Sequence, residues 1–208
     1  MKPFTRLTSV VAPLLRDNVD TDCIIPAEFM RSLSTDPGRG LFARWRYRPD
    51  GTEDPSFVLN DPRFRHAAIL LSGANFGCGS SRENAVWALE RFGIRCVIAR
   101  GFSDIFYGNC FKNGVLPVKL PQAAHEKLAA EVQGEAVGEA SVDLRLRQIV
   151  LPSGSTIEFD LDARRQAQLL SGGDEIGATL RRQAQIDAFR DAHARRSPWL
   201  YGESRGRG

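Results

Sequence analysis

Two serine hydroxyls and a guanidinium follow a cluster of glycines in the segment Gly73–Glu83. An apolar run precedes this segment and a helical pattern over 84–92 follows it, so the sequence predicts a strand, a tight loop and a helix start. Backbone N–H groups and the helix dipole attract anions at such a position. A planar guanidinium binds a carboxylate or phosphate through two parallel hydrogen bonds. Ser80, Ser81 and Arg82 therefore predict a site for a small anionic substrate.

The same segment also fits a purely structural interpretation. Ser80 and Glu83 have the S-x-x-E spacing of a capping box, which only starts a helix. Capping does not explain Arg82, nor the glycines at 77 and 79, which permit positive φ and close approach of the backbone to a ligand. The spacing fits neither a Walker loop, nor G-x-S-x-G, nor G-x-G-x-x-G. Both interpretations therefore stay open on the residues alone.

The cysteines and histidines do not have the spacing of a metal site. No C-x-x-C occurs, and the three histidines are widely separated, so we expect no metal bound by this chain. Cys96 lies in an apolar run and is expected to be buried. Cys78 is a candidate nucleophile because a helix start lowers the pKa of a thiol. No histidine lies nearby in the sequence to act as its base, so a structural role is favoured.

Length and composition are those of a globular protein with a substantial core. The chain has 208 residues, of which 42% are hydrophobic and 25% charged. The N-terminal stretch lacks a cleavage site and no run reaches the length of a membrane span, so we expect a cytoplasmic protein. Seven arginines and three acids follow Ala178. Because the acids interleave with the arginines and no aromatic platform accompanies them, this predicts a solvated helix or partner surface rather than nucleic-acid binding.

Strand-like and helix-like segments alternate in the middle of the chain. After the 84–92 helix come a strand over 95–99, a helix over 104–112, a strand over 115–120 and a helix over 122–131. This order predicts an α/β fold with a mainly parallel sheet flanked by helices. In such sheets ligands bind beyond the carboxyl ends of the strands, which is where the glycine-rich loop falls.

The pattern changes in the last third of the chain. Period-two alternation over 142–151, a turn over 152–154 and a return over 155–159 predict an antiparallel hairpin. Two helices are expected to follow, over 162–170 and 178–196. We expect one domain over 1–200, with a C-terminal helical extension over 178–200 and a disordered tail over 201–208. Residues 31–56 are rich in Gly, Pro and Asp, which predicts a mobile substrate-selecting loop.

Several long motifs, in order, resemble the small subunits of 3-isopropylmalate dehydratase, a family of the aconitase superfamily. The resemblance covers nearly the whole chain. It is carried by the aspartate-rich run Asp17–Pro26, the glycine-rich loop 75–83, Asp104–Asn109, Leu116–Leu120 and Ile176–Leu180. It implies a swivelling, three-layer β/β/α domain and a hydro-lyase of leucine biosynthesis. It also implies that the partner is a large subunit, which carries a [4Fe-4S] cluster.

The resemblance also implies roles for particular residues. Ser80 matches the expected catalytic base, and Ser81 and Arg82 match groups that bind a substrate carboxylate. Asp22 matches a position that orients or neutralises a basic group in the site, and Arg31 is a candidate for a second substrate carboxylate. The substrate is expected to be a small dicarboxylic hydroxy acid, with no nucleic acid or membrane partner.

The sequence departs from the family pattern just after the glycine-rich loop. Asn84 and Val86 replace the usual His and Pro. Two alternatives therefore remain. One is a small subunit of a related hydro-lyase acting on citraconate/methylmalate or homoaconitate, and the other is a non-catalytic module that binds anions.

Overall fold

The structure, a computed structural model, describes residues 1–30, 36–133, 138–173, 175–180 and 182–201. The chain divides into two compact units, Met1–Gly172 and Gly173–Gly208. The single domain over 1–200 stays a prediction, and the tail from 202 lies outside the described residues. In the ranges that are described, no helix is long and apolar enough to cross a membrane.

The first unit is built on one sheet whose described strands run in the order β4-β3-β2-β1-β5-β6-β7. The strands are β1 (Arg6–Leu14), β2 (Ile69–Ser72), β3 (Cys96–Ala99), β4 (Leu116–Lys119), β5 (Glu139–Asp143), β6 (Gln148–Val150) and β7 (Thr156–Glu158). β1 to β4 pair in parallel, whereas β1–β5, β5–β6 and β6–β7 are antiparallel. The sheet therefore has a parallel half and an antiparallel half.

The helices of the first unit follow the strands in the order that the sequence predicts. They are α1 (Thr21–Ile24), α2 (Pro37–Gly40), α3 (Ala43–Arg46), α4 (Asn84–Phe92), α5 (Asp104–Lys112), α6 (Gln122–Val132) and α7 (Ala163–Ser171). Short 3₁₀ turns cover Ala27–Phe29 and Val58–Asn60. The bounds of α4 and α5 are those predicted from the sequence. Gly93, in the left-handed region, ends α4, and Ser103 precedes α5.

The parallel half of the sheet is buried on both faces. Leu70 and Val97 pack into one hydrophobic cluster with residues of α4 and α5, while Ile69, Leu71 and Ile98 pack into a second. The second cluster also contains buried side chains of α6 and of β5 to β7. Burial on both faces explains why β2 and β3 read as continuous apolar runs instead of alternating patterns.

The antiparallel half differs from the sequence prediction in one detail. The run 142–151 is not one strand, because residues 144–147 form a turn between β5 and β6. The Asp143 carboxylate accepts hydrogen bonds from the N–H groups of Arg145 and Leu146, at 2.9 and 3.0 Å. Arg147 has a φ of 56°. An aspartate that binds the backbone in this way favours a turn, and the result is three antiparallel strands instead of one hairpin.

The segment from residue 36 to residue 60 is anchored in the core. Leu41 and Phe42 are fully buried, and the buried guanidinium of Arg46 donates hydrogen bonds to the Asn60 side chain and to the carbonyl of Gly38. Burial lowers the pKa of Arg46. Residues 31–35 lie outside the described residues, so the mobility and substrate selection expected for 31–56 stay a prediction.

The second unit is helical. Its described elements are α8 (Glu175–Leu180), α9 (Gln183–Arg196) and a 3₁₀ turn at Pro198–Leu200. The single helix predicted over 178–196 is therefore wrong in detail, because the helical segment divides into α8 and α9. No residue of α9 is buried within the described chain, and Arg190, Asp191, Arg195 and Arg196 are exposed.

Candidate active site

The glycine-rich loop lies at the carboxyl edge of the parallel strands, between the segments that follow β1 and β3. On one side, Gly77 donates its backbone N–H to the carbonyl of Val19 at 2.7 Å, and Thr21 donates to the carbonyl of Cys78 at 2.9 Å. On the other side, Phe76 donates to the carbonyl of Gly101 at 2.9 Å. Parallel strands bring these three segments together because their carboxyl ends share one edge.

Two glycines let the loop fit this space. Gly77 has a φ of 73°, and a Cβ atom at this position would lie 2.2 Å from Cγ of Phe106. Gly79 has a φ of 87°. Both φ values lie in the left-handed region that glycine adopts at little cost. The loop can therefore turn sharply twice while its backbone rests against α5.

An ion pair connects the aspartate-rich run to the loop. The Arg82 guanidinium donates a hydrogen bond from Nη1 to the carboxylate of Asp22. Side-chain exposure is 22% for Arg82 and 44% for Asp22, so the pair is only partly accessible to solvent. Asp22 is the one hydrogen-bonding partner of this guanidinium within the described ranges. The rest of the guanidinium fork is available for an anion.

Ser80, Ser81 and Arg82 line one cavity of about 280 Å³. The complete lining is Thr21, Gly79, Ser80, Ser81, Arg82, Ser103, Asp104, Ile105 and Phe106. The hydroxyls of Ser80 and Ser81 are exposed and have no hydrogen-bond partner in the described parts of the chain. The cavity thus combines hydroxyl groups, the Arg82 guanidinium, the acidic residue Asp104 and an apolar wall. The guanidinium and the hydroxyls suit a small anion, and the apolar wall suits an apolar branch.

The sequence missed Thr21, Ser103, Asp104, Ile105 and Phe106 as lining residues. The segment 103–106 opens the helix that follows the neighbouring parallel strand, so the carboxyl-edge rule could have placed it beside the loop. Thr21 lies between two aspartates of the run that carries the family resemblance. The structure does not describe Arg31, so its proposed contact with a second carboxylate lies outside the described residues.

The capping box suggested by the spacing of Ser80 and Glu83 does not form. Helix α4 begins at Asn84, with Glu83 in the N-cap position and no side-chain capping bond. The Glu83 carboxylate accepts a hydrogen bond from Nδ2 of Asn113 at 2.8 Å, so it does not reach back to Ser80. Because a helix dipole acts within its first turn, Ser80 gains little from α4.

Cys78 does not have the properties of an activated nucleophile. Burial and the nearby Asp20 carboxylate raise the pKa of its thiol, which is opposite to the lowering expected at a helix start. Burial is also the main cause that raises the pKa of the Cys23 thiol to about 11. The structural interpretation of Cys78 therefore agrees with the environment of its thiol.

The described residues do not offer a ligand set for an iron–sulfur cluster or another metal. Across the described ranges, no three His, Cys, Asp or Glu side chains are grouped so that they could hold a metal ion. Cys96 and Cys110 are fully buried in the core, and Cys23 and Cys78 are partly buried. No chemical step in this chain is assigned to a bound cluster.

Comparisons with known families agree with this architecture. The family model of the aconitase C-terminal domain matches residues 1–123, and that of the C-terminal domain of 3-isopropylmalate dehydratase small subunits matches residues 175–203. The 3-isopropylmalate dehydratase small subunit of Paramagnetospirillum magneticum is 51% identical over 201 residues, covering 96% of this chain and all of the relative. The chain belongs to the family of 3-isopropylmalate dehydratase small subunits.

Further relatives extend this result. The 3-isopropylmalate dehydratase small subunit of Brucella canis is 50% identical over 200 residues, covering 96% of this chain and all of the relative. The crystal structure of a 3-isopropylmalate dehydratase from Methanocaldococcus jannaschii matches with a TM-score of 0.61 and 27% identity. It covers 89% of this chain and 99% of the solved chain. The expected α/β fold of the aconitase C-terminal domain is confirmed.

The two departures from the family pattern lie outside the cavity. Val86 is fully buried in α4, and Asn84 is the partly buried first residue of that helix. Neither residue is among those that line the cavity. The replacements therefore lie in the packed face and at the start of α4, away from the lining residues.

Proposed function

We propose that this chain is the small subunit of a two-subunit 3-isopropylmalate dehydratase of leucine biosynthesis. The reaction interconverts 2-isopropylmalate and 3-isopropylmalate through isopropylmaleate, by loss and readdition of water. The observation that carries the proposal is the single cavity in which Ser80, Ser81 and the Asp22-paired Arg82 meet. The relatives that are 51% and 50% identical to this chain, and are named as small subunits of this enzyme, support it. A cytoplasmic location follows as an expectation from this biosynthetic role.

Arg82 and Ser81 bind a carboxylate of the substrate in this proposal. Nη1 of the guanidinium contacts Asp22, which orients it, and Arg82 lines the cavity. A guanidinium offers a carboxylate two parallel N–H donors, and the Ser81 hydroxyl adds a third. Asp22 also balances the charge of Arg82 when the site is empty.

Ser80 is the proposed base that removes the proton from the carbon next to a substrate carboxylate. Its hydroxyl is exposed in the cavity, free of other described partners. A serine must lose its own proton to act as a base, and a helix start supplies only about 0.3–1 kcal/mol within its first turn. One pKa unit corresponds to about 1.36 kcal/mol. Helix α4 therefore lowers the pKa of the Ser80 hydroxyl far too little to ionise it. Closure against the partner must provide the remaining stabilisation of the ionised hydroxyl by excluding water.

The site is completed by the large subunit. The family resemblance implies that this partner carries a [4Fe-4S] cluster, which would supply Lewis-acid chemistry toward the departing hydroxyl. The present chain contributes the carboxylate clamp, the hydroxyl base and an apolar wall beside Ile105. We therefore expect the chain alone to be inactive.

The experiment is anaerobic reconstitution with the large subunit, followed by assays on three substrates. We expect turnover of 3-isopropylmalate by the pair and none by the chain alone. Turnover by the isolated chain would contradict the need for a partner. A pair that prefers citraconate/methylmalate or homoaconitate would instead assign the chain to a related hydro-lyase. Anion binding without turnover of any of the three would support a non-catalytic module.

A further inference from the structure

Thr21 makes two hydrogen bonds to the backbone of the catalytic loop. Its hydroxyl donates to the carbonyl of Ser80 at 3.0 Å, and its N–H donates to the carbonyl of Cys78 at 2.9 Å. The residue is only 1% exposed, although it lines the cavity. One buried threonine thus fixes the chain on both sides of Gly79.

The loop is held from the opposite side at an earlier position. The Ser103 hydroxyl donates to the carbonyl of Gly77 at 2.5 Å, and its N–H donates to the carbonyl of Phe76 at 3.1 Å. Beyond Ser80, the next backbone hydrogen bond in the described chain is donated by the Ala85 N–H to the carbonyl of Arg82. The Thr21 hydroxyl is therefore the last fixed point before the exposed side chains of Ser80 and Ser81.

A glycine next to the reacting residue makes such a fixed point necessary. Gly79 adopts a φ of 87° and has no side chain that could pack against a neighbour. Backbone rotation at this glycine would change the direction of the Ser80 side chain. A threonine is suited to oppose that rotation, because its branched Cβ restricts its own rotamer and its single hydroxyl proton is directed at the Ser80 carbonyl.

We propose that Thr21 is a positioning residue for Ser80: its hydroxyl fixes the Ser80 carbonyl and thereby the direction in which the Ser80 side chain enters the cavity. This inference rests on the proposed function of Ser80 as the base. Because the Thr21 proton is used within the chain, Thr21 acts on the rate of the reaction through Ser80 and does not donate to the substrate. Misplacement of a reacting group by about 1 Å costs on the order of 100-fold in rate.

The test compares Thr21→Val, Thr21→Ser and wild type, each reconstituted with the large subunit. Valine keeps the shape and removes the hydroxyl, whereas serine keeps the hydroxyl and removes the methyl group. Thr8→Val is the matched control, because the Thr8 hydroxyl donates to Ser141 at 2.9 Å in β5, among the antiparallel strands. The measurements are kcat and KM for 3-isopropylmalate, and amide hydrogen exchange of residues 78–82 in the chain alone.

We expect Thr21→Val to lower kcat about 10- to 100-fold with little change in KM, and to speed exchange in the loop. Thr21→Ser should restore kcat to within a few-fold of wild type, and Thr8→Val should change neither quantity. The inference would be overturned if amide exchange in Thr21→Val were unchanged. It would also be overturned if Thr21→Ser lost as much kcat as Thr21→Val. If the valine variant does not fold, Thr21→Ala is measured in its place with the same two outcomes.

Failure of this inference is distinguishable from failure of the proposed function. An inactive wild-type pair contradicts the proposed function, and the exchange measurement then decides the positioning role alone. An active pair in which Ser80→Ala abolishes turnover, while Thr21→Val keeps both wild-type kcat and wild-type exchange, overturns only the role of Thr21.

Discussion

The parallel and antiparallel halves of the sheet end in different ways. At the carboxyl edge of β1, β2 and β3, three loops from distant parts of the chain bind one another's backbones and enclose the cavity. In the antiparallel half, short turns connect β5 to β6 and β6 to β7, and Asp143 caps the first of them with hydrogen bonds to its own backbone. The parallel strands therefore bring together loops that are far apart in the sequence, whereas the turns between β5, β6 and β7 close locally.

The largest expected difference between the halves is catalytic. Ser80→Ala should lower kcat of the reconstituted enzyme about 100- to 10,000-fold, because it removes the proposed base. The matched control is Ser153→Ala in the turn before β7, where the serine hydroxyl binds Glu131 at 2.9 Å. The control should keep wild-type kcat. Turnover by Ser80→Ala within two-fold of wild type would contradict the role of Ser80 as base.

The second comparison concerns stability and uses two glycines with similar backbone angles. Gly77 in the site loop and Gly154 in the β6–β7 turn have φ values of 73° and 84°. An alanine at either position adopts a left-handed conformation, which costs about 1–2 kcal/mol. At Gly77 the new methyl group also overlaps Phe106, and overpacking adds about 1–3 kcal/mol. At Gly154 nothing lies within 4 Å of the new atom.

We therefore expect Gly77→Ala to lower the free energy of unfolding by about 2–5 kcal/mol and Gly154→Ala by about 1–2 kcal/mol. Urea unfolding of the isolated chain, followed by circular dichroism, measures both. Equal losses would show that Phe106 yields to the methyl group without cost. That outcome would contradict the tight contact between the loop and α5.

A third comparison sharpens the assignment of the carboxylate clamp. Arg82→Lys keeps the charge but loses the planar pair of donors. We expect KM for 3-isopropylmalate to rise about 10- to 100-fold with a smaller change in kcat, since one charged hydrogen bond contributes about 1.5–3 kcal/mol. Arg145→Lys, at an exposed turn position of the antiparallel half, should change neither constant. A fall in kcat at unchanged KM would move Arg82 from substrate binding to stabilisation of the transition state.

The difference between the halves also explains what the sequence could predict. The bounds of α4 and α5 follow from local helical patterns, and those predictions are confirmed. The capping box suggested by the spacing of Ser80 and Glu83 does not form, because Glu83 binds Asn113, which lies 30 positions away in the sequence. No local pattern encodes such a partner.

The residues that surround the cavity show the same limit. Thr21 and Ser103 lie 82 positions apart in the sequence, and they meet the loop only because β1, β2 and β3 pair in parallel. The turn between β5 and β6 was missed for another reason. Val142, Leu144 and Leu146 continue the alternation of a strand, yet Leu146 is 66% exposed. Periodicity alone does not distinguish a strand from a turn whose apolar residues continue the same alternation.

The smallest expected effect is a pH dependence of the hydrogen bonds that Asp17 makes at the start of the glycine-rich loop. Asp17 accepts hydrogen bonds from Arg100 at 2.6 and 2.8 Å and from the N–H of Ala74 at 2.6 Å. The Arg100 guanidinium, followed by the Ala74 N–H, lowers the pKa of Asp17 below its ordinary value of 3.8. Because the pKa of Asp17 is lower in the folded chain, its hydrogen bonds contribute stability above pH 3.8. That stability is lost as the pH falls through the lowered pKa of the folded chain.

The Ala74 amide resonance should therefore stay constant down to about pH 4 and shift only at lower pH, when Asp17 takes up a proton. Arg100→Gln removes the largest cause of the lowered pKa, so the midpoint should move up towards 3.8. Nuclear magnetic resonance of the isolated chain measures both midpoints. A wild-type midpoint at or above 3.8 would mean that Asp17 does not bind Arg100 and Ala74 in solution. The loop would then depend on Thr21 and Ser103 for its position, which would make their variants more damaging than expected here.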